Sequence, residues 1–239
     1  MFITALIGMG LTTIGFCFGG CIAILLKGFQ TKVSIIYAIC AGVILGMIVL
    51  DIAPESIEMG NNKIFFWGLL MGGILFLLLH EASHQLTRYQ VKKNTYLRTA
   101  KLLALSISVH NLPVGIAIGS SQMFEMNSSM IYLLILHNIP EGVALFTPLL
   151  LGKVKVRTWF MLIGIIITPV GIGILLGSSL GYFIPASLCA LILSLAIGMM
   201  LTVTIKEMFI VAIKNSSARL CIIYTIIGFI LIWIHLLLI

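Results

Sequence analysis

The chain has 239 residues, of which 61% are apolar or aromatic and only 9% are charged. An average soluble domain carries about 25% charged residues, so this composition excludes a water-soluble globule. The net charge of +7 could suit nucleic acid in a soluble protein, but here the basic residues lie mostly between long apolar segments. We therefore expect a multi-pass protein of the cell membrane whose surroundings are the lipid bilayer and that binds no nucleic acid.

Eight apolar segments are long enough to cross a bilayer, since a membrane-spanning helix needs about 20 residues. They are bounded by charged residues, Asn, Gly or Pro. The predicted spans are 4–26, 33–55, 64–84, 99–121, 129–151, 158–182, 186–212 and 218–238. The sequence thus predicts an all-α bundle of eight transmembrane helices, which forms a single domain over residues 1–239. It contains no glycine-rich phosphate loop, so we expect neither an ATP-driven pump nor an organic cofactor.

The basic residues predict the orientation of the helices. Twelve of the 14 Lys and Arg residues lie in or beside the odd-numbered connections between spans. Basic residues concentrate in cytoplasmic loops, so we expect the odd connections to be cytoplasmic and both termini to lie outside. The second and fourth connections carry Glu58 and Glu125, and the second span ends with Asp51 and Glu55. The outer face is thus acidic and would attract a cation, which makes Asp51 and Glu55 candidate entrance residues.

A repeated motif carries the strongest chemical signal. HNLPVGIA at 110–117 and HNIPEGVA at 137–144 share His, Asn, Pro, Gly and Ala at the same offsets, 27 residues apart. Both copies lie in the middle of predicted spans. An ionisable group at that depth costs about 2.5–3.5 kcal/mol and by default marks an ion or substrate path.

Helix geometry gives the spacing in the motif a chemical meaning. His137 and Glu141 are four residues apart and lie on one helix face, while Pro140 leaves the Leu136 carbonyl without its helical donor. Together with His110, they supply two nitrogens and one oxygen, which suit Zn²⁺ and also Fe²⁺, Mn²⁺, Co²⁺ or Ni²⁺. Two Asn carbonyl oxygens complete the predicted metal ligands, which are His110, Asn111, His137, Asn138 and Glu141. The alternative is that His and Asn only bridge helices by hydrogen bonds.

At these motifs the sequence resembles the ZIP (Zrt/Irt-like) family of divalent-metal transporters, and the eight spans and DIAPES at 51–56 agree with it. The resemblance implies transport and not an enzymatic reaction, with metal bound by His110 and Asn111 in the fourth span and by His137, Asn138 and Glu141 in the fifth. It also implies a homodimer, and a bundle of the first, fourth, fifth and sixth helices that moves against the rest. We expect transport of a divalent metal, zinc above all, into the cytoplasm.

The chain departs from the family at two positions. The first motif has Val114 where the family usually has Glu, and the sixth span has Thr168 where some members place another metal-binding Glu. With Glu141 as the remaining carboxylate, two neighbouring divalent ions would be poorly neutralised, so we expect one metal. The departures also admit a metal sensor that no longer transports.

A second motif offers a different function. HEASH at 80–84 matches HExxH, in which two His residues one turn apart bind zinc and the Glu acts as a general base. It would make the chain an intramembrane zinc protease, although no convincing third ligand follows in the sequence. Under the predicted orientation, the motif instead lies at the inner end of the third span. The candidate exit residues are then His80, Glu81, His84 and, from the seventh span, Glu207; solvated interfacial charges are the alternative.

The charge pattern generates a prediction about topology. With the five native cysteines replaced, single cysteines at positions 90 and 155 should be protected from a membrane-impermeant thiol reagent added outside, and one at position 61 should react. Labelling in intact cells, with permeabilised cells as the control, measures this. If the cysteine at position 90 reacts, the predicted orientation is wrong, and the residues assigned to the entrance and to the exit must be exchanged.

Overall fold

The computed structural model describes residues 1–26, 33–90, 95–120, 128–180 and 185–238, with the backbone alone at 83–90, 95 and 128–133. All eight long helices are apolar enough to cross a membrane, which confirms the predicted architecture. We number them in chain order as α1 Phe2–Leu25, α2 Val33–Met59, α3 Asn62–Gln90, α4 Thr95–Ser120, α5 Ser128–Leu151, α6 Val156–Leu180, α7 Ala186–Lys214 and α8 Ala218–Leu237. The side of the bilayer on which each terminus lies remains a prediction.

Two of the helices are locally widened. A π-helical turn occupies Ile48–Ile52 in α2, and another occupies Thr204–Phe209 in α7. Each turn contains a carboxylate, Asp51 in the first and Glu207 in the second. A π turn inserts an extra residue and so changes which side chains share a helix face, and such turns are frequent at functional sites. The apolar pattern of the sequence did not predict either turn.

The third helix is longer than the sequence predicted. It continues to Gln90, whereas the predicted span ended at residue 84. The HEASH segment therefore lies within a continuous helix and not at its end. This difference matters for His80, which the structure buries inside the bundle at 7% exposure.

The helices form two groups. The most extensive contacts pair α4 with α6, α1 with α5, α3 with α7, and α2 with α8. Contacts of α1 with α6 and of α4 with α5 join α1, α4, α5 and α6 into one group, and contacts between α2 and α7 join α2, α3, α7 and α8 into the other. The two groups meet where α4 lies on α7 and α3, and where α2 lies on α5.

Glycines set the closest approaches between helices. A Cβ atom on Gly115 of α4 would lie 2.5 Å from the Val170 carbonyl oxygen of α6, and one on Gly173 would lie 2.5 Å from the Leu112 carbonyl oxygen. Only glycine allows backbones to approach this closely, as in other membrane bundles. We call such a line of close approaches at glycines a glycine seam. Comparable seams occur in the other three pairs, at Gly15, Gly19 and Gly142 (α1–α5), Gly68, Gly72 and Gly198 (α3–α7), and Gly42 and Gly228 (α2–α8).

In the described part of the chain, all four glycine seams lie within a group and none of them joins one group to the other. The boundary is instead formed by larger side chains: Val143 and Ala144 of α5, for example, pack into the apolar cluster of α2, α7 and α8. Interlocked backbones resist sliding more than side-chain contacts do, because the neighbouring helix cannot move without a backbone clash. Each of the four helix pairs is therefore held together more tightly than one pair is held to the next.

The seams predict that two glycines of α6 respond differently to the same substitution. Gly173→Ala forces α4 and α6 apart and should destabilise the protein by about 1–3 kcal/mol. A Cβ atom on Gly164 would meet no described heavy atom within 4 Å outside its own helix backbone, so Gly164→Ala should be neutral or slightly stabilising. Thermal unfolding in detergent, followed by circular dichroism, measures both, and equal melting temperatures would contradict the close approach.

Candidate functional site

The repeated motifs bring a histidine and a glutamate together in the middle of the first group. His110 of α4 and Glu141 of α5 are 1% and 3% exposed. The distance from His110 Nε2 to Glu141 Oε1 is 3.1 Å. With no metal bound, a proton must lie between these atoms, since a bare nitrogen lone pair and a carboxylate oxygen would repel each other.

The orientation of the His110 ring is fixed from its other side. Its Nδ1 donates a hydrogen bond of 3.2 Å to the Ser106 carbonyl oxygen, one turn earlier in α4. A carbonyl can only accept, so Nδ1 carries a proton and Nε2 is the nitrogen that faces Glu141. Metal-binding histidines are typically held by such a second contact, which directs the free nitrogen at the ion. This contact of Ser106 was not predicted, although the position of Ser106 four residues before His110 is a usable signal.

Two buried oxygen atoms of the second motif lack a hydrogen-bond donor. Glu141 Oε2 and Asn138 Oδ1 are buried and have no hydrogen-bond partner among the described residues. The Asn138 amide nitrogen contacts the Leu134 carbonyl at 2.5 Å and His137 Nε2 at 3.2 Å. A buried oxygen without a donor is costly in a bilayer, and a cation is one group that would satisfy it.

The asparagine of the first motif makes a different contact. Asn111 is 1% exposed, and its amide nitrogen donates to the Ile166 carbonyl oxygen of α6 at 3.2 Å. Ser108 likewise donates to the Ile165 carbonyl oxygen at 2.8 Å. These bonds tie α4 to α6 beside the His110–Glu141 pair, so Asn111 has a bridging role that the sequence analysis gave only as an alternative.

His137 does not join the pair in the geometry shown. It is 5% exposed, on the same helix as Glu141, but among the described residues no three His, Cys, Asp or Glu side chains are grouped for a shared metal. The structure therefore brings His110 and Glu141 together and leaves His137 beside Asn138. That all three bind one ion stays a prediction.

The two departures from the family pattern have different surroundings. Val114 is half-buried on α4, one turn beyond His110. Thr168 is exposed on α6, and its hydroxyl donates to the Gly164 carbonyl oxygen of its own helix at 2.7 Å. A carboxylate at position 114 would stay near the pair, whereas Thr168 faces the surface of the bundle.

A second histidine–glutamate pair lies in the other helix group. His80 Nδ1 of α3 is 3.3 Å from Glu207 Oε1 in the π turn of α7, and the two side chains are 6% and 11% exposed. The His80 ring also packs on Phe76, with 5.7 Å between ring centroids. Two of the predicted exit residues are thus in contact. Glu81 is exposed, and the side chain of His84 lies outside the described residues.

The predicted entrance residues lie near the C-terminal end of α2. Asp51 and Glu55 are both half-buried, and the π turn at Ile48–Ile52 widens the helix beside them. The buried polar contact at this end is made by another residue: the Ser56 hydroxyl lies 2.7 Å from that of Ser194 in α7. That link joins α2 and α7, and the sequence analysis did not identify it.

A helix bundle with ionisable pairs buried at membrane depth is typical of membrane transport proteins. The family model described as "ZIP Zinc transporter" matches residues 80–235, which is well over half of the chain and includes HEASH and both HN motifs. The chain therefore belongs to the ZIP zinc transporter family. No individual curated protein matches it.

Family membership decides between the functions that the sequence left open. Members of this family are transporters and not enzymes, so the chain is a multi-pass membrane protein that transports metal ions. The protease interpretation of HEASH is not supported. In the structure, His80 of that segment contacts Glu207.

Proposed function

We propose that the protein carries a divalent transition metal, zinc by preference, into the cytoplasm through a site centred on His110 and Glu141. The observation that carries this proposal is the buried pair itself, at 3.1 Å, beside the unpaired oxygens of Asn138 and Glu141. One imidazole nitrogen with carboxylate and amide oxygens is a donor set that suits Zn²⁺ and tolerates Fe²⁺, Mn²⁺, Co²⁺ and Ni²⁺. His137 and Asn111 are the further proposed ligands.

Metal binding at this pair would exchange an ion for a proton. His110 Nε2 and Glu141 Oε1 must both be deprotonated to act as ligands, so a bound metal would replace the hydrogen bond between them. Binding would therefore release a proton. The same exchange leaves His110 Nε2 and Glu141 Oε1 partnered with each other when no metal is bound.

Charge supports the proposed direction of transport. Asp51 and Glu55 would concentrate cations at the outer face, and the His80–Glu207 pair, with Glu81 and His84, would receive the ion on the inner side. A divalent cation that moves inward down a potential of 100 mV gains about 4.6 kcal/mol. This driving force requires no nucleotide.

The two helix groups suggest how the ion would pass. The proposed metal site lies on α4 and α5 of the first group, in which glycine seams hold α4 to α6 and α1 to α5. We propose that this group moves against α2, α3, α7 and α8. We also propose that two copies of the chain form a homodimer through α2, α3, α7 and α8, which do not move. Chemical cross-linking in native membranes tests the proposed homodimer.

Replacing the central carboxylate tests the function. Glu141→Ala should abolish metal uptake almost completely, because it removes the acidic group of the paired motifs. Glu81→Ala, an exposed glutamate of the same protein, should retain a substantial fraction. Uptake of a panel of divalent ions by purified protein in sealed vesicles measures both. Full uptake by Glu141→Ala would contradict the proposed site.

Substitution of Val114 tests how many metal ions the site binds per chain. Val114→Glu places a second carboxylate one turn beyond His110, so metal content at the core should rise from one ion per chain toward two, or the first ion should bind more tightly. The metal-free variant should be less stable than the wild-type protein, since two carboxylates repel each other in a low-dielectric site. Elemental analysis, with His80 and His84 replaced in both proteins, gives the count. Two core ions in the wild-type background would contradict the one-metal proposal.

A further inference from the structure

Two prolines each free a backbone carbonyl for a side chain of another helix. Pro148 lies inside α5, and Pro169 lies inside α6. A proline has no N–H, so the carbonyl four residues earlier loses its helical donor. These carbonyls belong to Ala144 and Ile165. In both cases a hydroxyl group of another helix supplies the missing donor.

The two replacement bonds differ in which helices they join. Ser108 of α4 donates to the Ile165 carbonyl oxygen of α6 at 2.8 Å, within one helix group. The Tyr37 hydroxyl of α2 donates to the Ala144 carbonyl oxygen of α5 at 3.1 Å, from one group to the other. Tyr37 and Ala144 are 3% and 0% exposed, so water does not compete for this bond.

The Tyr37 bond depends on the relative position of the two groups. A displacement of one group separates the hydroxyl from the Ala144 carbonyl, and Pro148 leaves that carbonyl no helical donor to return to. An unpaired carbonyl inside a bilayer is costly. The Ser108 bond moves with its own group and is kept. The Tyr37 bond therefore favours the arrangement of the groups that the structure shows.

We propose that Tyr37, Ala144 and Pro148 form a latch that opens whenever the two helix groups move against each other. Pro148 creates the free acceptor, and Tyr37 supplies the donor from the facing group. The latch slows departure from the arrangement shown and so limits the transport rate. This proposal rests on the proposed movement of the groups, but not on the identity of the ion or on its ligands.

Removing one hydroxyl group tests the latch. Tyr37→Phe keeps a buried ring of similar size and deletes the donor. It should raise the rate of metal uptake in sealed vesicles by about threefold, the factor that corresponds to an average hydrogen bond between membrane helices. Ser108→Ala, which removes the equivalent bond within a group, should not raise uptake. A folded Tyr37→Phe protein that transports at or below the wild-type rate would overturn the proposal.

Pro148→Ala provides the matched background. The new alanine has an N–H that can bond to the Ala144 carbonyl, so this carbonyl no longer depends on Tyr37. Tyr37→Phe should then raise uptake much less than it does in the wild-type background. Equal effects in the two backgrounds would show that Tyr37 does not act through the freed carbonyl.

Distances between the groups give a measurement that does not depend on transport. With the native cysteines replaced, spin labels on Phe160→Cys of α6 and Leu220→Cys of α8 report on one group each, since both positions are exposed. In double electron–electron resonance, Tyr37→Phe should move population away from the wild-type distance, whereas Ser108→Ala should not. Identical distance distributions in all three proteins would contradict the latch.

The latch and the proposed metal site can fail separately. If Tyr37→Phe changes the distances and the uptake rate as expected while Glu141→Ala retains full uptake, the latch stands and the metal site is wrong. If Glu141→Ala abolishes uptake and Tyr37→Phe changes neither quantity, the metal site stands and the latch is wrong.

Discussion

The free-energy cost of placing ionisable groups inside a bilayer is the constraint on which the rest of this structure depends. A carboxylate or imidazole at membrane depth must find a partner within the protein, because neither lipid nor bulk water supplies one. Within the described residues the bundle meets this requirement with His110 against Glu141 and with His80 against Glu207. Each pair joins two helices, so the requirement also fixes which helices lie next to each other at that depth.

Each of these pairs lies within a single helix group. His110 and Glu141 come from α4 and α5, and His80 and Glu207 come from α3 and α7. The glycine seams have the same distribution, since each one holds together helices of one group. A displacement of one group against the other would leave both pairs intact and change the distance between them. This is the arrangement that a carrier requires if an ion is to be handed from a moving site to a fixed one.

The boundary between the groups is built differently from their interiors. It contains apolar side chains and isolated hydrogen bonds, among them that of the Tyr37 hydroxyl to the Ala144 carbonyl oxygen at 3.1 Å. A hydrogen bond between membrane helices contributes about 0.6 kcal/mol on average. Such contacts can be exchanged at small cost, whereas a glycine seam cannot be shifted without a backbone clash.

Much of the architecture follows from the sequence by itself, because the thickness of the bilayer sets the length of an apolar helix. The eight spans, the in-register HN motifs and the family resemblance all came from local pattern, and the structure and the family match confirm the eight spans and the family. The pattern could not reveal the π turns around Asp51 and Glu207, since they depend on how the neighbouring helices pack.

The choice of partners was decided by the tertiary structure alone. The four-residue spacing places His137 and Glu141 on one helix face, yet Glu141 of α5 contacts His110 of the neighbouring helix α4. In the same way, the HEASH segment suggested a local zinc motif or a solvated helix end, but His80 is buried against Glu207, 127 residues further along the chain. Spacing fixes which residues share a helix face. Which face meets which is set by the packing of whole helices, here through glycine seams whose contacts join residues far apart in sequence.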